Sequence, residues 1–233
     1  MNIRLELSTT NLLIGFNVLM FFVATFFGIL FGNYLDSLDF LGADVYQFIL
    51  HGEVWRLLTS AFLHANIFHL LVNMYALFAL GSFYERTFGG RSMFSLYVFA
   101  GVGGSIMSTL ISLVGVVIGL KDPDIYTLGV GASGALFGIL GFFIISKNVS
   151  LDKQRLYSIL FLNIFIGIIF AGLIDNWAHM GGLLVGLLLG FIDNRVSYKK
   201  RAGLDNTLFY SSLVLVIISF IGLIIYNIFQ ITK

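Results

Sequence analysis

The sequence predicts an all-α, polytopic membrane protein. Three observations lead there: 58% of the 233 residues are hydrophobic, only 11% are charged, and the apolar residues run in seven long stretches. An ordinary soluble domain carries roughly 25% charged residues. A soluble fold of this length could not hide so much apolar surface, whereas a bilayer accepts it once every backbone amide is paired inside a helix. The formal net charge of +1 gives no electrostatic footprint for nucleic acid. The absence of cysteine excludes disulfides, thiolate metal sites and a cysteine nucleophile.

A crossing helix needs about 20 apolar residues, and the stretches that qualify are 12–31, 66–84, 93–120, 131–146, 155–173, 177–192 and 207–229. The first is long enough to span and no small-x-small cleavage pattern follows it, so it reads as a retained helix rather than a signal peptide. The fourth and sixth are short and rich in glycine, which in lipid lets helices approach closely. The longest connection, 32–65, is too apolar for a free loop. Its 45–62 portion mixes apolar residues with His51, Glu53 and Arg56 and is expected to lie partly in the membrane interface. The expected organisation is a six-span core over 1–203, with 32–65 as a large first loop, and a seventh span in the C-terminal segment 204–233.

Seven spans put the termini on opposite sides. With the N-terminus cytoplasmic, the inner segments hold Arg4, Arg86, Arg91, Lys147, Lys153, Arg155, Arg195, Lys199, Lys200 and Arg201, and the outer ones only Arg56, Lys121 and Lys233. Ten basic residues against three is a positive-inside bias. The expected placement is multi-pass, with the C-terminus outside, in a prokaryotic plasma membrane.

Spans two, four and six all run inward, and each carries a polar group near its outer start: His69 and Asn73, Ser133, and His179. Polar side chains at such depth are costly and face the bundle interior or an aqueous cavity. Ser133 lies in Gly131-Ala132-Ser133-Gly134, where small neighbours expose the hydroxyl. Gly182, Gly186 and Gly190 follow His179 at intervals of four and form a smooth helix face that matches Gly134, Gly138 and Gly141 on span four. Close axes of this kind are what a serine and a histidine on different helices need to meet. A serine hydroxyl is a weak nucleophile until a base takes its proton, which an imidazole does near neutral pH. His69 and Asn73, spaced i, i+4, point the same way and could donate to the oxyanion of an attacked carbonyl, together with the Ser133 N–H. Taken singly, Ser133 is as well explained by helix packing, His179 by a backbone hydrogen bond, and His69 and Asn73 by interhelical contact. Their shared depth is what points to a site.

Trp55-Arg56-Leu57-Leu58-Thr59 is followed by Phe62, His64, His69, Leu70, Asn73 and Met74. With Gly131-Ala132-Ser133-Gly134 and Ala178-His179-Met180-Gly181-Gly182, this pattern closely resembles the rhomboid family of intramembrane serine proteases over about 52–190. The resemblance implies a compact six-helix core with an appended seventh helix. It implies Ser133 as nucleophile, His179 as general base, and His69, Asn73 and the Ser133 N–H as the oxyanion hole. Trp55 and Arg56 match the family's first-loop signature and His64 its H-x₄-H-x₃-N pattern, with structural roles, and Gly131, Gly134, Gly182 and Gly186 support the packing. The pairing of Glu85 with Arg86 is also expected to be structural, and the short loop 174–176 resembles the cap that the family moves to admit substrate. Many members carry tyrosine four residues after the nucleophile, stacked on the histidine; here that position is Phe137, which can stack but has no hydroxyl. Asp175, at i−4 from His179, is a solvated edge carboxylate in one reading and a third catalytic group in another; the resemblance implies a dyad.

The implied activity is endopeptidase cleavage of transmembrane protein substrates near the outer face of the lipid bilayer, with no cofactor, metal or nucleic acid. The alternative within the family is a catalytically inactive protein that binds membrane substrates. A transporter or channel would show repeats, broken mid-membrane helices or buried charge. A metalloprotease built on His64, His69 and His179 would lack the H-E-x-x-H pattern.

Overall fold

Each apolar stretch becomes a helix because, in lipid, that is how a single segment satisfies its own backbone. The computed structural model describes residues 8–124, 126–149, 151–170 and 174–232. In chain order the helices are α1 (Thr9–Phe31), α2 (Tyr34–Phe40), α3 (Tyr46–Leu50), α4 (Arg56–Thr59), α5 (Ile67–Ala76), α6 (Ser82–Phe88), α7 (Gly90–Val117), α8 (Ser133–Ile145), α9 (Lys153–Ile169), α10 (Asn176–Asp193) and α11 (Tyr198–Ile231). A π-helical turn, Leu77–Gly81, joins α5 to α6 into one continuous rod. Thr9–Phe31, Ile67–Phe88, Gly90–Val117 and Lys199–Ile231 are each long and apolar enough to cross a membrane; Ser133–Ile145 is apolar but shorter.

Helix starts follow the capping residues. Ser8 accepts from Asn11 N, Asn66 from His69 N, Asp152 from Gln154 N and Arg155 N, and Asp175 from Trp177 N and Ala178 N. These caps occupy amides that have no acceptor within the helix. α1 stops at Gly32, whose φ of 72° is open to glycine at little cost.

Two boundaries differ from the sequence reading. α8 has 13 residues, about 20 Å at the usual rise, against a hydrocarbon core of about 30 Å. Its first residue therefore starts well inside the bundle. α11 begins at Tyr198 rather than 207, so the expected boundary at 203/204 falls inside a helix. The run Lys199-Lys200-Arg201 does not break it: lysine and arginine are good helix formers, and Arg201 Nη2 reaches back to Asp193 Oδ1 at 2.9 Å. The first loop is folded into α2, α3 and α4. The far end of the fifth predicted stretch, Leu173, and the basic residues Arg4 and Lys233 lie outside the described residues.

α7, α8 and α10 form the centre, with glycine at the contacts. A Cβ on Gly182 would run into the Gly134 carbonyl, one on Gly186 into the Gly138 carbonyl, and one on Gly181 into the Gly103 carbonyl. Around this centre α1 is tied to α7 by Asn17 Nδ2 donating to the Tyr97 hydroxyl at 3.0 Å. Glu85 does not pair with the adjacent Arg86 among the described residues. It accepts from Thr9 N at 2.7 Å, Thr10 N at 2.8 Å and Thr10 Oγ1 at 2.6 Å, capping α1 instead. Adjacent residues on a helix point apart, so the sequence neighbour was the less available partner. α11 closes on the first loop: Trp55 packs on Tyr226 with ring centroids 5.2 Å apart, and Asn227 Nδ2 donates to Phe40 O at 2.9 Å.

Candidate active site

Ser133 is the first residue of α8, and no side chain caps that helix start. The first amides of a helix have no internal acceptor and carry the positive end of its dipole, so the Ser133 N–H is placed to receive an anion. One turn on, Phe137 lies on the same helix face, and its ring stacks on His179 with centroids 4.1 Å apart and planes within 9°. Gly134 comes within a side chain's reach of the carbonyl of Ala178, the residue before His179. The α8–α10 seam thus brings position 133 and position 179 to the same end of the bundle. His179 Nδ1 is buried without a hydrogen-bond partner among the described residues. Catalytic contacts are often long before substrate binds.

His69 and Asn73 stand on the other side of the nucleophile loop. Gly131 has a φ of 132°, in the region glycine favours, and a Cβ there would sit 2.9 Å from His69 Nε2 and 3.5 Å from Asn73 Nδ2. The loop is pinned by Gly131 N donating to Ser60 O at 3.0 Å. Asn73 is buried and its Nδ2 has no acceptor among the described residues. A buried, unpaired donor beside a free helix N-terminus is ready to take a new oxyanion. His64 is fully buried and meets His69 edge to face, 5.1 Å between centroids. Burial pushes the His64 ring down to about 3, so it is a neutral wall behind His69.

The remaining expected residues hold the frame. Arg56 is buried and bonds Glu53 Oε2 at 2.7 Å, Asp39 Oδ1 at 3.0 Å and Ala43 O at 2.8 Å, and its guanidinium lies over the Phe48 ring. This planar donor set ties α2, α3 and α4 into one unit. Asp175 is not a free edge carboxylate. It caps α10, and its second oxygen accepts from Ser108 of α7 at 2.5 Å. Both oxygens are engaged in anchoring the start of α10. Among the described residues no group of three or more histidine or acidic side chains is arranged to hold a metal ion.

Sequence reasoning missed the polar face of α7. Ser105, Ser108, Thr109 and Ser112 follow the i, i+3, i+4, i+7 spacing of one helix face, and Ser105 and Thr109 donate to the carboxylate of Asp44 in the first loop. The spacing was readable; the partner, some sixty residues away, was not.

Comparison with known proteins gives one family. The rhomboid domain model matches residues 51–196. "RHOMBOID-like protein 5" of Arabidopsis thaliana is 36% identical over 171 residues, covering 70% of this chain and 52% of that protein. Rhomboid protease AarA of Providencia stuartii is 31% identical over 223 residues, 86% of this chain and 79% of that protein. Rhomboid protease GluP of Bacillus subtilis is 33% identical over 186 residues, 76% of this chain and 33% of that protein. The chain spans about half the length, or less, of the plant relatives it matches.

Proposed function

The chain belongs to the rhomboid family of polytopic membrane proteins, and from that premise we propose that it is an intramembrane serine endopeptidase acting through a Ser133–His179 dyad. The observation that carries the reading is the α8–α10 seam: Ser133 opens α8, and Phe137, one turn on, lies flat on His179. A transmembrane substrate enters laterally between α5 and α9 and unwinds near its outer end, because a helical peptide bond is shielded by its own hydrogen bond. Small or helix-breaking residues at that point favour cleavage. His179 takes the proton of the Ser133 hydroxyl as the oxygen attacks the carbonyl. The oxyanion is held by the Ser133 N–H, His69 and Asn73. His179 then delivers the proton to the leaving amine, and water, activated by the same ring, hydrolyses the acyl-enzyme. Phe137 holds the imidazole plane by stacking alone.

The proposed orientation is N-terminus cytoplasmic and C-terminus outside, in a prokaryotic plasma membrane. It rests on the basic residues at the α6–α7, α8–α9 and α10–α11 junctions. The end bearing Ser133 then faces outward, where water reaches it.

One observation favours the alternative of an inactive membrane-substrate binder: His179 Nδ1 is buried and has no hydrogen-bond partner among the described residues to orient the ring. Reconstitution with a fluorogenic transmembrane peptide separates the two. The dyad predicts cleavage by the wild type, a loss of about 10⁴-fold or more in Ser133→Ala and His179→Ala, and no effect of EDTA. Equal turnover by Ser133→Ala removes the proposal.

A further inference from the structure

Asp44 is a buried carboxylate that the proposed chemistry does not use. Its backbone forms a two-bond antiparallel bridge with Gly129, N to O at 2.9 Å and O to N at 2.8 Å. Gly129 lies four residues before Ser133, on the loop that Gly131 also pins to Ser60. The Asp44 side chain turns the other way and accepts from Ser105 and Thr109 of α7. On the same α7 face, one turn along, Ser108 holds Asp175, the cap of the helix that carries His179. The His179 N–H closes that first turn on Asp175 O at 3.2 Å. Both halves of the site are therefore hung from neighbouring hydroxyls of one helix. Asp44, Ser108, Gly129, Asp175, Lys121 and Trp177 line a single cavity of about 240 Å³ between them.

We propose that Asp44 is a positioning residue for Ser133: its backbone sets the nucleophile loop and its carboxylate locks that loop to the α7 face from which the His179 helix is also held. The inference rests on the dyad reading for its effect on rate, and on the hydrogen bonds alone for its effect on the loop. Burial pushes the Asp44 carboxyl up to about 7; a carboxylate kept in such a place is held by specific donors.

The test has two readouts on full-length enzyme in detergent or proteoliposomes. The first is the second-order rate constant for labelling of Ser133 by a fluorophosphonate, measured per reactive molecule. Asp44→Ala is expected to lower it tenfold to about a hundredfold, the scale of a small misplacement of reacting groups. Asp44→Asn, which keeps an acceptor and gains a donor, should recover most of the loss, and Ser105→Ala should lose about threefold. A merely structural role would leave fewer reactive molecules at an unchanged rate constant, and that result overturns the proposal. The second readout is amide hydrogen exchange. Asp44→Ala and Ser105→Ala should speed exchange at Gly129 and Gly131 while leaving Gly182 and Gly186 protected. Unchanged exchange at Gly129 and Gly131 overturns the proposal whether or not the serine reacts. Wild type that is not labelled, with the exchange effect present, contradicts the dyad reading and leaves the loop lock standing.

Discussion

α8 and α9 are neighbours in sequence and both are apolar, yet they sit in the molecule in opposite ways. Ten of the 13 residues of α8 are buried, against two of the 17 in α9, Leu156 and Gly167. α8 carries glycine at 134, 138 and 141, and the backbone of α10 rests directly on it. α9 presents Phe161, Leu162 and Phe165 outward. It is fastened near its ends, by Lys153 Nζ on the carbonyls of Phe143, Ile144 and Ser146, and by Asn176 Nδ2 on Gly167 O at 2.9 Å. Burial inside a membrane bundle therefore follows missing side chains rather than apolarity. Lipid satisfies an exposed phenylalanine as well as a neighbouring helix does; only close backbone approach distinguishes the two. The site is built on the glycine seam, and the proposed lateral entry lies beside a helix that has little to unpack.

The largest effect is expected at the centre. Burial raises Asp44 to about 7 from an ordinary 3.8, so the fold favours its neutral form. That contribution to stability is complete below about pH 4 and is lost as pH rises through about 7. The groups facing it are Ser105 and Thr109 of α7, Asp175 at the start of α10, and Arg56 of α4. Asp44→Asn removes the ionisation, so its stability relative to wild type should improve by up to about 4 kcal/mol between pH 4 and pH 8. Unfolding titrations at the two pH values measure this. A pH-independent difference contradicts it.

Next comes the oxyanion side of the centre. Asn73→Ala should lower peptide cleavage by about 10²–10³-fold, some 3 kcal/mol of barrier, with KM little changed. Below that in size is the seam itself. Gly186→Ala drives a Cβ onto the Gly138 carbonyl, a backbone atom that cannot swing away. It should cost about 2 kcal/mol of stability and lower activity with it. The smallest effect is expected on α9: Phe161→Ala, 72% exposed, should change stability by less than about 0.5 kcal/mol. A Phe161→Ala loss equal to that of Gly186→Ala would contradict a bundle held by its glycine seam.

Much of this arrangement was legible in the sequence. The polar groups His69, Asn73, Ser133 and His179 stand out against apolar spans, and the glycines at 182, 186 and 190 announce a face with period four. What was not legible depends on distant partners. Asp175 reads as an exposed edge residue until Ser108 is placed beside it, and Glu85 reads as a partner of Arg86 until the start of α1 arrives. The run 199–201 reads as a loop because charge usually ends a span, but Asp193 lets the helix continue through it. Trp55 could be assigned to the first loop from its motif, yet its packing on Tyr226 required knowing where α11 returns.

The most direct measurement is mass-spectrometric mapping of a fluorophosphonate adduct on the wild type and on His179→Ala. A dyad predicts one adduct, on Ser133, formed by the wild type and reduced at least about a hundredfold when the imidazole is removed. An adduct elsewhere, or equal labelling of Ser133 in both proteins, would contradict it.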